Sequence, residues 1–388
     1  MNKRFSRVLR HAVTVATLFA GAASAQTTVP IGAVLPLTGG MAPFGQASLR
    51  GIELAVEEIN AAGGIESLNG AELELATGDA GSDPTTAASV TQRLISRDQV
   101  EAVFGAFASS LSLAASGVAE RSRVPFMTMS FSDQLTSRGF KYIFQNVAPA
   151  SEMGRAQMEY ARDIARANGE ELNNIAILYE NSAYGTSQAE GVMANANEVY
   201  PQGLSDATPL IQKIKSVDPA PDAVVPVSYF TDAVLIVRSM RQNDMEIPII
   251  GGAAGYIIPD FHDALGDNTQ GIFSADTSNY DHYGELGAKY RQRHGKFMTH
   301  EAFEHAVLVY AYAAALEKAG TTDTATVADT LRETRFTGYP FSGLPGDVVD
   351  FGENGLNTET YPLMVQWQDG ELVTVCPENE AKGDPISK

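Results

Sequence analysis

The sequence predicts an α/β protein of two similar units, each a parallel sheet covered by helices. Two observations carry this. Short apolar runs alternate with helix-length amphipathic stretches from residue 29 to about residue 277, the pattern of right-handed βαβ crossovers. That pattern restarts between Asn146 and Ser151. The length of 388 residues agrees, being too great for one small core and suited to two domains.

Taken in order, residues 29–35 read as a first strand, and Pro36-Leu37-Thr38-Gly39-Gly40 as a turn. A helix follows over about 44–62, with Leu49, Ile52, Ala55, Val56 and Ile59 on one face and Gly63-Gly64 as its stop. A second strand covers 71–77, and Pro84 sits near the start of the next helix. Residues 102–136 then read strand, turn, helix, strand, turn, helix. The second unit supplies a helix over 152–168, a strand at 175–179 and a helix to about residue 199. Strands at 223–227 and 247–250 flank a helix that ends near residue 242. After a strand at 273–277 come helices at 283–293, 301–319 and 326–333, and then short strands at 348–351, 361–366 and 372–375. The polar stretch from Pro377 reads as a frayed end.

The N-terminus reads as a targeting segment. Lys3, Arg4, Arg7 and Arg10 precede a small apolar run, and Ala23-Ser24-Ala25 is an A-x-A cleavage pattern. The run is too short to span a bilayer, and no later run is long and apolar enough to do so. Removing residues 1–25 takes away four basic and no acidic residues, moving the formal charge from −20 to −24. So acidic a chain repels phosphate backbones, which excludes nucleic acid as a partner. Cys376 is the single cysteine, so no internal disulfide forms, and beside Pro377 it reads as an inert thiol.

Catalytic patterns are absent. There is no G-x-S-x-G, no G-x-x-x-x-G-K-[ST] and no G-x-G-x-x-G. His300-Glu301-Ala302-Phe303-Glu304-His305 places its histidines five apart, off a common helix face, and reads as a solvated face with no metal. What remains is a set of hydroxyl-rich and aromatic turns. Ser109, Ser130 and Ser132 follow strands of the first unit and precede helix starts. In an open parallel sheet, ligands gather at that edge, and free N–H groups at helix starts suit a carboxylate. The same residues also serve as plain helix caps. Tyr184, Tyr229 and Tyr256 follow strands of the second unit and form the facing wall.

The chain resembles the type I periplasmic solute-binding proteins of ABC importers, in the leucine/isoleucine/valine-binding group. The resemblance rests on IGAVLPLTGGMAPFGQASLRGIELAVEEINAAGGI, AVFGAFASSLSLAASGVAERSRVPFMTMSFSDQLT, NSAYG and GGAAGY, and covers nearly all of residues 28–376. It implies two Rossmann-like lobes joined by three crossing segments, near 146–151, 274–278 and 355–360, that close on a ligand by a hinge. The implied division is a signal peptide at 1–25, one lobe from 26–148 with 276–356, and a second from 149–275 with 357–388. The implied ligand set is Phe44, Ser109, Ser130 and Ser132 from the first lobe, with Tyr184 and Tyr229 from the second. Tyr256 joins them as the third strand-end tyrosine.

The implied protein is periplasmic, monomeric and not membrane-embedded, not an enzyme, and free of cofactors and metals. Its partners are a small-molecule solute, an amino acid first, and an inner-membrane ABC permease. One departure bears on the ligand. Amino-acid binders of the group place an acid after the strand that ends here at Gly251-Gly252, where it takes the α-ammonium; this chain has Ala253-Ala254. Either another acid serves, with Asp79 and Asp232 as candidates, or the ligand is an organic acid or amide. A sensory ligand-binding role is the remaining alternative.

Overall fold

The computed structural model describes residues 28–192 and 196–386. The predicted export segment lies outside them. The first sheet has strands β1 (Thr28–Leu35), β2 (Glu72–Asp79), β3 (Ala102–Gly105), β4 (Phe126–Thr128) and β5 (Ile143–Gln145), all parallel in the order β2-β1-β3-β4-β5. Helices α1 (Ala42–Ala61), α2 (Pro84–Ser96), α3 (Ser109–Ser122) and the single turn α4 (Gln134–Ser137) make the connections. Strands β3, β4 and β5 are buried throughout, as parallel strands covered on both faces must be.

The second unit opens with α5 (Ala150–Ala167) and continues through β6 (Ile175–Glu180), α6 (Ala183–Val192), β7 (Ala196–Tyr200), α7 (Thr208–Lys215), β8 (Ala223–Val227), α8 (Phe230–Gln242), β9 (Ile250–Gly251), α9 (Pro259–Leu265) and β10 (Phe273–Asp276). Parallel β7-β6-β8 meets β9 through a bridge from Val224 to Ile249. β9 pairs in parallel with β10. The chain then returns to the first unit as α10 (Gly284–His294), α11 (His300–Ala319), α12 (Thr324–Arg332) and the hairpin β11 (Arg335–Thr337) and β12 (Val348–Asp350). It crosses back to add β13 (Leu363–Gln368) and β14 (Glu371–Cys376) antiparallel to β10.

Two expectations are corrected. The helix predicted to run to about residue 199 is described over Ala183–Val192, and Ala196–Tyr200 is a strand and not its continuation. Parallel pairing of Ile177 with Asn197 and of Glu180 with Tyr200 completes the edge of the sheet and overrides the local helical pattern. The HEAFEH stretch is no solvated face: His300, Glu301, Glu304 and His305 are all buried. α11 packs across the first sheet between α1 and α12, so its polar residues meet the crossing segments and not water.

The three crossings are tied to one another there. The Asn357 N–H donates to Gln145 O, and its amide donates to Asn146 O. Asn146 Nδ2 donates to Glu304 Oε2, while Ser278 Oγ donates to Glu304 Oε1 at 2.6 Å. Burial pushes the Glu304 carboxyl up to about 8, against the bonds from Ser278 and Thr277.

Two hydrophobic clusters result. One lies between the first sheet and α1, α11 and α12. The other begins on the opposite face of that sheet and runs through Phe44, Phe107 and Phe131 to Tyr184 and Tyr229 in the second unit. The two units are therefore in contact at their strand ends.

Candidate functional site

The carboxyl ends of β1, β3 and β4 face those of β6, β8 and β9. Phe44 of α1 stacks on Phe107, centroids 4.5 Å apart, and both rings meet Tyr229 of the second unit at 5.9 Å. Phe131 meets Tyr184 at 5.9 Å, and Tyr184 meets Tyr229 at 5.6 Å. His300, at the start of α11, lies against Phe107 and Phe131 at 6.5 and 5.8 Å. All of these rings are buried. Phe107 holds a left-handed backbone (φ +66), which a bulky side chain adopts at a cost and which marks a turn held for its geometry.

Cavities flank this wall on both sides. One of about 260 Å³ is lined by Gly40, Met41, Gly203, Tyr229 and Asp232, and another of about 290 Å³ by Ala47, Arg50, Ile258, Thr299 and Glu301. Each lies between the two units.

The structure thus brings Phe44, Tyr184 and Tyr229 together as expected. It distinguishes the three serines. Ser130 Oγ is 2.6 Å from both the Phe107 carbonyl and Ser112 Oγ, and Ser112 Oγ accepts the Ala106 N–H, so Ser130 braces the turn after β3. Ser109 Oγ accepts the Ser132 N–H at 3.1 Å, and Ser132 Oγ accepts the Gln134 N–H at 3.4 Å. Each of these two bonds uses a lone pair and leaves a hydroxyl proton to donate. The Tyr229 hydroxyl lies beside the Ser109 backbone N–H at the first turn of α3, where an anionic oxygen would also bind.

Tyr256 sits inside the second unit. Its hydroxyl pairs with Ser228 Oγ at 2.7 Å, its ring contacts Phe261, and its carbonyl accepts the Trp367 Nε1–H at 2.7 Å. The Trp367 ring is fully buried and stacks on His262. The turn from Gly251 to Tyr256 is tight: a Cβ on Gly251 would lie 2.4 Å from the Tyr256 ring, and one on Gly252 2.8 Å from Val227. Both acids proposed for an ammonium are engaged elsewhere. Asp79 accepts the Leu37 and Gly81 N–H groups and the Thr38 hydroxyl, and Asp232 accepts the N–H groups of Gly203 and Leu204.

Sequence reasoning missed Phe107, Phe131, Glu180, Gln188 and His300. Glu180 ends β6, is fully buried, and has one oxygen held by Ser182 Oγ at 2.6 Å and the other unpaired. Burial pushes its carboxyl up to about 8, Asp232 adding to the rise and the Ser182 bond opposing it. Burial lowers the His300 imidazolium, but Asp276, 3.0 Å from Nδ1, more than offsets this and holds it above the ordinary histidine value. The overlooked signal is an ionisable side chain at a strand's last position or a helix's first.

Among the described residues, no cluster of three or more His, Cys, Asp or Glu is arranged to hold a metal ion, and no helix is long and apolar enough to cross a membrane. Burial pushes the Cys376 thiol up to about 11, in keeping with an inert sulfur.

The comparisons agree with this architecture. The Leu/Ile/Val-binding protein homolog 8 of Brucella melitensis is 32% identical over 382 residues, covering 92% of this chain and 93% of its own. The structure of the branched-chain amino acid transporter substrate-binding protein LivJ from Streptococcus pneumoniae, in complex with isoleucine, superposes with a TM-score of 0.77 at 25% identity, covering 90% of this chain and all of that one. A solute-binding protein of an ABC transporter from Rhodopseudomonas palustris, in complex with 3,4-dihydroxybenzoic acid, has the same fold at 20% identity (TM-score 0.77, covering 93% and 98%). The profile of the periplasmic binding protein family matches residues 28–371. The chain belongs to the periplasmic binding protein family.

Proposed function

We propose that this protein is the solute-capturing component of an ABC importer, exported to the periplasm and closing its two lobes on a small carboxylate-bearing solute, an amino acid in the first instance. The lobes are residues 26–148 with 276–356, and 149–275 with 357–388. One observation carries the reading. The Ser109 N–H at the start of α3 lies beside the Tyr229 hydroxyl of the other unit, next to a buried aromatic wall that Phe107 and Tyr229 form together. A carboxylate there receives the donors of a helix start, and rings from both lobes cover the rest of the solute.

The family's task supports this, as do relatives named for leucine, isoleucine and valine binding. An organic acid lacking an amine is the second reading. It is favoured by the alanines at 253 and 254, where an acid would take an ammonium.

Thermal-shift screening of the purified protein against amino acids, organic acids and amides is the test, because a ligand of the native state raises stability by mass action. Recovery of unchanged solute after incubation separates binding from turnover. No shift with any solute, checked by calorimetry, overturns the reading. Loss of solute uptake on deleting the gene separates transport from sensing.

A further inference from the structure

Three buried polar atoms on one stretch of the second unit have no partner: Glu180 Oε2, the Tyr184 hydroxyl and Gln188 Oε1. Leaving such groups unpaired is costly, and native proteins keep few of them without a use. Their order in the chain explains their grouping. Glu180 is the last residue of β6, and Tyr184 and Gln188 are four residues apart on α6, so both project from one helix face. Side chain by side chain, Tyr184 and Gln188 are 0–1% exposed, as is Glu180.

Each group is held in orientation. The Gln157 amide donates to the carbonyls of Ile250 and Gly251, at 2.9 and 2.8 Å, so its oxygen points to Gln188 and accepts Gln188 Nε2 at 2.9 Å. That fixes the Gln188 amide with its oxygen outward. A Cβ on Gly252 would lie 3.1 Å from this oxygen, which places it at the turn after β9. Ser182 Oγ fixes the Glu180 carboxyl from one side. The Tyr184 ring lies in the wall against Phe131 and Tyr229.

We propose that Glu180, Tyr184 and Gln188 form the subsite for a primary ammonium on the ligand, in place of an acid after β9. An ammonium has three N–H donors, and the three free oxygens supply three acceptors, one on a carboxyl. The subsite rests on the reading of the cleft as a site for a small carboxylate, whose other end the Ser109 turn holds. The ligand is then an amine-bearing acid and not a simple organic acid.

The ammonium requires Glu180 ionised, so a proton leaves as the amine ligand enters. The titratable groups facing Glu180 are Asp232 of α8, Tyr184 of α6, Tyr200 of β7, and Tyr229 and Tyr256. Burial holds all four tyrosines above their ordinary range and raises the Asp232 carboxyl, and Glu180, pushed up to about 8, is the group placed to respond near neutrality.

The experiment is calorimetry with matched probes, each L-amino acid against its desamino carboxylic acid, on the wild type, Glu180→Gln, Tyr184→Phe and the surface control Glu57→Gln. The expected wild-type preference for the amine is at least about tenfold, which Glu180→Gln abolishes, Tyr184→Phe reduces and Glu57→Gln retains. Amine affinity rises up to about tenfold per pH unit below pH 8 in the wild type and is flat in Glu180→Gln. Tyr184→Phe, which removes one oxygen from an unpaired site, keeps the test open if Glu180→Gln fails to fold. Binding of desamino acids as tight as their amines, or a preference unchanged in the folded variants, overturns the subsite and leaves the carboxylate reading standing. A wild type that binds no probe overturns both.

Discussion

The two walls of the cleft differ in how their polar atoms are spent. On the first lobe, Ser109, Ser130 and Ser132 each make a hydrogen bond within the lobe, and the surface they frame is the Phe44–Phe107 stack. On the second, Glu180, Tyr184 and Gln188 each keep an oxygen with no partner. The first wall keeps the hydroxyl protons of Ser109 and Ser132 to donate; the second keeps acceptor oxygens left to fill. Affinity for any flat or apolar solute can come from the first wall, while discrimination between solutes falls to the second, because an unpaired buried group penalises the wrong ligand more than a paired one rewards the right one.

The largest expected effect on this contrast is Phe107→Ala. It removes a buried ring from the first wall, and chemical denaturation should show a loss of about 3–5 kcal/mol. A loss below about 1 kcal/mol would mean that the first wall is not packed as described.

The second is a pH effect on the unfilled wall. The Glu180 and Glu304 carboxyls, both held at about 8 in the folded state, take up protons on folding that the unfolded chain releases near 4.5. The stability of the ligand-free protein is therefore greatest below about pH 4.5 as far as these two groups are concerned, and falls as pH rises toward 8. Each contributes a slope of up to about 1.4 kcal/mol per pH unit. Glu180→Gln should remove one such contribution and leave that of Glu304. An identical pH profile in the variant would show that Glu180 is ionised without a ligand.

Ser130→Ala comes third. It strips partners from the Phe107 carbonyl and Ser112, at a cost of about 1–3 kcal/mol in denaturation, and leaves the ranking of solutes as it was. A changed ranking would return Ser130 to the ligand set.

The smallest effect belongs to Lys296, which reaches from the first lobe to Asp260 and Asp263 of α9 at 3.5 and 3.7 Å. All three are well exposed, so Lys296→Ala should cost no more than about 1 kcal/mol at low salt and nothing measurable at high salt. A larger, salt-independent loss would make it part of the closing contact.

Much of this was legible in the sequence, for a physical reason. Buried parallel strands need near-continuous apolar runs, so 102–105 and 223–227 announce themselves. Tyr184 and Tyr229 were legible because aromatic residues just beyond strand ends line a crevice there, and Phe44 through the resemblance of its turn to the family's, whereas Tyr256, read from the same kind of position, turns into the second unit. The misreadings fall where the partner is remote in sequence. Ala196–Tyr200 is a strand because β6 lies beside it. His300, Glu301 and Glu304 resemble a solvated helix until Asp276, Ser278 and Asn146 arrive from two crossings. Glu180 resembles a turn residue, and only the closure of the sheet edge makes it a buried acid. Ser130 was assigned to the ligand from its place in a turn, whereas its hydroxyl is engaged by Phe107, 23 residues away.

Trp367 is the only tryptophan in the chain, and its indole N–H is bound to the backbone of Tyr256, at the end of the turn that faces Gln188. Intrinsic emission therefore arises from one fluorophore in one lobe, coupled through a single hydrogen bond to the segment on which solute discrimination falls. A solute held by the first wall alone leaves that emission as it is, whereas one that engages the turn shifts it, so an unlabelled sample reports which half of the cleft has been filled.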